Sequence, residues 1–266
     1  MKFRMPDEPT GAWHVASAAA RLYTEALQTV LPIAIPAALA AVVSELLQPE
    51  AGAAMNASAA QSLGVLLSGL IYAWLVIAVQ HRVYRFAFRS GSTGESLRAA
   101  GARLLPLIGA GLLAAIGLAL PIGVVAAIAA WAWQGREMAA AVVLGLAAVL
   151  AVVYVGLRLA VLTAEVVLRP AGPVESLRNS WRLTRGQVWH IALVYAVLLA
   201  VIAAVFVAAI IVSTVLGILA PSLAGFLASI VTVVLLSVFM LPFGGAVMAT
   251  LWHDLRLRAG EPQAAD

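Results

Sequence analysis

Residues 175–191 read ESLRNSWRLTRGQVWHI, and from Ile191 to Leu251 there is no Asp, Glu, Lys, Arg or His. Arg178, Arg182 and Arg185 therefore stand at the edge of a long apolar run. That run has the length of two crossings of a ~30 Å hydrocarbon layer, at roughly 17–25 residues each. A tight hairpin around Gly217 and Pro221 is expected to join them. Charge confined to a short lead-in, with lipid-soluble helix behind it, decides the fold class.

The rest of the chain follows the same plan. It has 266 residues, of which 64% are hydrophobic and 11% charged, and its mean hydropathy is +1.03. Soluble domains carry about 25% charged residues, so the composition is that of a membrane protein. Apolar segments fall near 28–48, 62–80, 104–133, 139–164, 188–217 and 223–252. The expectation is an all-α membrane protein with six transmembrane helices and short amphipathic interfacial helices, forming a single integral membrane domain over residues 1–266. The third segment exceeds what a straight crossing needs, so a kink at Pro121 or a tilt is expected there. The opening MKFRMPDEPTG has no apolar run at signal-peptide distance. The first run, with Pro32 and Pro36, is read as a retained span.

Fifteen of the sixteen basic residues fall in the N-terminal segment, the second and fourth breaks and the tail, and only Arg136 falls in the other set of loops. The positive-inside rule then places both termini in the cytoplasm. Glu95-Ser96-Leu97-Arg98 recurs as Glu175-Ser176-Leu177-Arg178, each after a basic-then-glycine junction. A third such junction, Arg258-Ala259-Gly260, closes the chain. The spacing suggests three parallel two-span units, near 10–91, 92–172 and 173–260, around an axis along the membrane normal.

The opening stretch reads as an interfacial helix from Pro173 to Arg185. Val174, Leu177, Trp181 and Thr184 mark an apolar stripe, with Glu175, Arg178, Arg182 and Arg185 on the remaining face. Pro173 suits the first helical position, and Gly186 suits a left-handed stop. Ser92 stands three residues before Glu95, a capping box that starts an equivalent helix.

Little here points to bond-making chemistry. The chain has no cysteine, which excludes disulfides, thiolate metal sites and cysteine nucleophiles. His14, His81, His190 and His253 are scattered without metal-ligand spacing. No phosphate-cradling glycine loop or nucleophile elbow occurs, and Gly244-Gly245 after Pro242 reads as a helix distortion. Of the charges within spans, Glu45 lies near the outer interface. Arg158 and Glu165 share a face of span four and are expected to pair with each other or with a neighbouring helix. Gly64 and Ser68, with Ser213, Thr214, Ser229, Thr232 and Ser237, read as packing contacts.

Ser180-Trp181-Arg182-Leu183-Thr184-Arg185-Gly186, followed by Trp189, resembles the S-W-x-L-T-x-G signature of a bacterial multi-pass family. That family is the membrane domain of glycerophosphoryl diester phosphodiesterase, with the YciC-type inner-membrane proteins as relatives. The tail from Leu251 to Arg258, LWHDLRLR, is similar to that family's Y-x-D-L-R-x-R ending, and Leu168 to Pro173 also fits. The likeness implies a six-helix bacterial inner-membrane protein, without the soluble catalytic domain found in some relatives. The expected role is non-enzymatic, in lipid or envelope organisation. Arg98, Arg178, Trp181, Arg182, Arg185, Asp254 and Arg256 are the candidate contacts to anionic headgroups or a partner protein. No cofactor, metal or nucleic acid is expected. The rival reading is a permease for a small or amphipathic solute.

Overall fold

The computed structural model describes residue 3 and residues 5–47, 59–87, 91–134, 138–169, 171–219 and 236–261. Pro221, Ser229 and Thr232, and the basic residues Lys2, Arg4, Arg89 and Arg136, lie outside them. Eight α-helices follow one another among the described residues. They are α1 (Ala12–Leu47), α2 (Ala59–Ala87), α3 (Thr93–Gln134), α4 (Met138–Arg158), α5 (Leu162–Leu168), α6 (Pro173–Leu183), α7 (Val188–Leu219) and α8 (Leu241–Arg258). Six stretches are long and apolar enough to cross a membrane, with α4 and α5 forming one of them. The architecture is thus an all-α, multi-pass membrane fold.

α1, α2 and α8 pack on one another and hold the core. Leu22, Ile33, Ile77, Leu251, Trp252 and Leu255 are its largest fully buried side chains. Gly64 and Ser68 take the packing role expected of small residues. A Cβ at Gly64 would stand 3.2 Å from Leu47 Cδ1, and Ser68 is buried with its hydroxyl donating to the Val65 carbonyl at 3.0 Å. α3, α4 and α7 instead present rows of exposed leucine, isoleucine and valine. In a bilayer such rows face acyl chains.

Three features depart from the sequence reading. α3 runs unbroken from Thr93 across Pro106 and Pro121 to Gln134, about 63 Å at 1.5 Å per residue. The equivalent helix expected after Ser92 is therefore the first turns of a span and not a separate element, with Gly101 and Pro106 both accommodated within the helix. The capping box itself forms: Ser92 N–H donates to Glu95 Oε2 at 2.8 Å, and Glu95 N–H to Ser92 Oγ at 3.2 Å. Secondly, α7 continues past Gly217 to Leu219, so Gly217 is helical and makes no turn.

The third departure is a break in span four. α4 stops at Arg158, three residues form a turn, and α5 resumes at Leu162. Span six is distorted as well, by a π-turn over Leu236–Met240 just ahead of Pro242. Proline lacks the N–H and crowds the carbonyl one turn back, which a wider turn relieves.

Candidate functional site

The break in span four builds one end of the molecule. Where a helix stops, its last carbonyls lose their partners and must find others. The Arg158 carbonyl receives Ser180 Oγ of α6 at 3.1 Å and Oγ1 of Thr184, the residue that caps α6, at 3.0 Å. The Ala160 carbonyl receives the Tyr195 hydroxyl of α7 at 3.3 Å. Ser176, Ser180 and Thr184 recur at four-residue spacing and are all fully buried. α6 thus docks through a stripe of hydroxyls, with Leu183 beside them. Its N-terminus rests on α3, where a Cβ at Gly109 would come within 3.0 Å of Pro173 Cγ.

This corrects the expected division of α6. Thr184 is on the inward face, Leu177 is half-buried, and Val174 and Trp181 look outward together with Arg178 and Arg185. The outward face mixes apolar and basic groups. The two ends of the helix follow the sequence: Pro173 begins it after Gly172, and Gly186 takes φ 78° in the turn that follows.

The tail ties the polar segments together. Trp252, buried in the core, donates its indole N–H to Glu165 Oε1 at 2.6 Å. Glu165 is wholly buried and also meets Asn179 at 3.4 Å and Arg169 at 3.7 Å. Arg256 lies 4.7 Å over the Trp252 ring. Glu261 gathers three guanidinium groups: Arg169 at 2.9 Å, Arg256 at 3.0 Å, and Arg182. Burial alone would raise the Glu261 carboxyl, but the Arg256, Arg182 and Arg169 guanidiniums outweigh it and hold it below its ordinary value.

Asp254 holds a second knot. It accepts the Thr10 N–H at 2.7 Å and Arg258 Nε at 2.7 Å. His190 Nε2 stands 3.0 Å from Oδ2, the oxygen that also takes Arg258 Nε. Arg258 also reaches the Thr10 carbonyl and Gln187, and His253 meets the Pro6 carbonyl at 3.0 Å. The residues just before α1 and around the start of α7 are therefore fastened to the last two turns of α8, and the polar segments converge at one end of the bundle.

The sequence-predicted contacts separate into two groups. The side chains of Arg98, Arg178 and Arg185 are exposed and make no hydrogen bond or ion pair with another described residue. Asp254 and Arg256 are buried in the network, and Arg182 is half-exposed but committed to Glu261. Sequence reasoning gave no site role to Asn179, Tyr195 or Glu261, and held Ser180 and Thr184 only as parts of the signature and the apolar stripe. The hydroxyl spacing Ser176–Ser180–Thr184 was the one signal available for the docking face.

Arg158 is the exception within the membrane-facing part. It does not pair with Glu165. It is only 4% exposed, its Nε has no hydrogen-bond partner, and its guanidinium lies 4.4 Å over the Trp181 ring. Tyr154 meets that ring edge-on, with centroids 6.5 Å apart. A desolvated cation–π contact contributes about 2 kcal/mol, whereas burying an ion without a counter-charge costs several. Trp181 alone leaves this cation under-compensated.

No curated protein and no solved structure matches the chain. A family model described as "Domain of unknown function (DUF7847)" matches residues 15–255, and with nearly its whole length covered the chain belongs to that family.

Proposed function

We propose that this is a non-enzymatic multi-pass protein of the bacterial inner membrane. It acts in lipid or envelope organisation through a basic cytoplasmic face that contacts anionic headgroups. The observation that carries this reading is the trio Arg98, Arg178 and Arg185, exposed at the polar end without a partner among the described residues. Bare guanidiniums beside outward Trp181 and Val174 suit the boundary between headgroups and acyl chains. The charge asymmetry supports a cytoplasmic position for this end, and the phosphodiesterase membrane-domain resemblance supports the bacterial setting. The three-unit organisation belongs to the same reading. Ser96 and Ser176 are both fully buried, as are Ala100 and Ser180, while Arg98 and Arg178 are both exposed.

Each basic residue near an anionic surface contributes about 1 kcal/mol, and the effect is screened by salt. Arg98→Gln/Arg178→Gln/Arg185→Gln should therefore lose roughly 3 kcal/mol of lipid interaction if the terms add. The remaining arginines keep the orientation signal. The measurement is anionic lipid retained through purification, with Asn179→Cys labelling in intact cells as the topology control. Retention equal to wild type would sink the lipid reading, and external labelling of that cysteine would overturn the orientation.

A further inference from the structure

We infer that Arg158 and Trp181 form a seat for a phosphate group, and that the phosphate is that of a phospholipid. This rests on the lipid-contact reading above and narrows it from a charged face to one position.

The seat is a buried guanidinium whose Nε meets no hydrogen-bond acceptor among the described residues. The Arg158 backbone is fixed, because its carbonyl takes hydroxyls from both Ser180 and Thr184. Trp181 covers one face of the guanidinium, which leaves the in-plane fork of N–H donors. That fork matches the oxygens of a phosphate, and no hydrogen bond or ion pair uses it among the described residues. Glu165 and Glu261, the two carboxylates that touch α6 side chains, are committed elsewhere, and Glu175 on the same helix is exposed. Glu165 is held by Trp252, Asn179 and Arg169, and Glu261 by Arg169, Arg182 and Arg256. Arg178 shares a helix face with Trp181 one turn earlier, and Arg185 follows one turn later. Both are exposed, so the approach to the seat is positive.

The choice of a lipid over free phosphate follows from α4. Leu146, Leu150 and Tyr154 recur every fourth residue toward Arg158 and are 59%, 60% and 48% exposed. An acyl chain can lie along this track while its phosphate reaches the fork. A soluble anion would have no use for it.

The test compares wild type with Arg158→Met in dodecyl maltoside, which contains no phosphate. Methionine removes an unpaired buried cation and keeps much of its length, so the variant should melt at or above the wild-type temperature. Titrating phosphatidylglycerol should raise the wild-type melting temperature, with at least tenfold weaker half-saturation in Arg158→Met. Arg158→Lys keeps the charge without the fork and should also be weakened; it serves if the methionine variant does not fold. The triple glutamine variant of Arg98, Arg178 and Arg185 loses the positive approach, so its response should stay saturable but shift to higher phosphatidylglycerol, by less than in Arg158→Met, while bulk lipid retention falls. The two readings can thus fail separately. Stabilisation by inorganic phosphate but not by phosphatidylglycerol would overturn the lipid source. Identical responses of wild type, Arg158→Met and Arg158→Lys to both probes would overturn the seat.

Discussion

Ser96 and Ser176 hold the same place in the two Glu-Ser-Leu-Arg segments, and both are fully buried. His81 Nδ1 meets the first hydroxyl at 3.2 Å, whereas the second has no partner. The aromatic anchors are exchanged as well. At the eighty-residue offset, Trp74 and Gly101 in the first region stand where Tyr154 and Trp181 stand in the second. In the first, the large ring comes from span α2 and donates to the Leu97 carbonyl at 2.9 Å. In the second, it comes from the lead-in and faces a tyrosine from the span. Buried Ala78 corresponds to Arg158, so among the described residues of the two regions only Arg158 is a buried bare cation.

This difference has a structural consequence. The first lead-in is the start of a continuous helix and is secured by its own backbone. The second is a separate eleven-residue helix, too short to be stable alone. It depends on the hydroxyl stripe and on arginine–carboxylate contacts. A similar basic segment can therefore extend a span, or act as a latch whose hold responds to substitution. The latch is the more breakable of the two.

The largest expected effect comes from the residue that serves both regions. Trp252 packs edge-on with Tyr84 of α2, centroids 5.3 Å apart, and donates to Glu165 beside α6. Trp252→Ala should cost about 3–5 kcal/mol, measured by unfolding in mixed micelles. Hydrogen exchange should rise at the start of α3 and in α6 together. A rise confined to one of them would show that the regions are not coupled through this side chain.

Ser180→Ala/Thr184→Val should separate them. It leaves the Arg158 carbonyl unpaired, at about 1–3 kcal/mol for a buried polar group. Exchange should increase across residues 173–187 and stay unchanged across 93–103. Equal protection of α6 in the variant would mean that packing of Leu183 and Pro173, and not the hydroxyls, holds the latch.

How far the sequence reached follows the same division. The six crossings, the Ser92–Glu95 box, the Pro173 start and the Gly186 turn were legible, because each depends on local chemistry within a few residues. The break after Arg158 was not. Leu159-Ala160-Val161 contains no proline or glycine, and the interruption is sustained by Ser180, Thr184 and Tyr195 from other helices. The separate helix expected after Ser92 was an over-reading of the shared Glu-Ser-Leu-Arg, since Gly101 and Pro106 do not interrupt α3. Glu261 was invisible for a different reason. Its partners Arg182 and Arg169 are 79 and 92 residues away, beyond any local pattern.

The smallest effect is the pH response of the latch, through Glu261. Its carboxyl is held below the ordinary 4.5 by Arg256, Arg182 and Arg169 against the opposing pull of burial. A depressed carboxylate stabilises the folded state fully above its unfolded value, and that contribution is lost as pH falls through the lower folded value. Acid should thus release Glu261 from Arg182, and the α6 end should loosen only below the ordinary carboxylate range. The effect should be modest, because Arg182 is 54% exposed and a solvated pair contributes less than about 1 kcal/mol. Glu261→Gln should loosen residues 173–187 already at neutral pH and flatten their response to acid, while raised salt weakens the wild-type contact. Hydrogen exchange across 173–187 on a pH series gives the measurement. An acid response undiminished in Glu261→Gln would remove Glu261 from the latch and leave the hydroxyl stripe as its fastening.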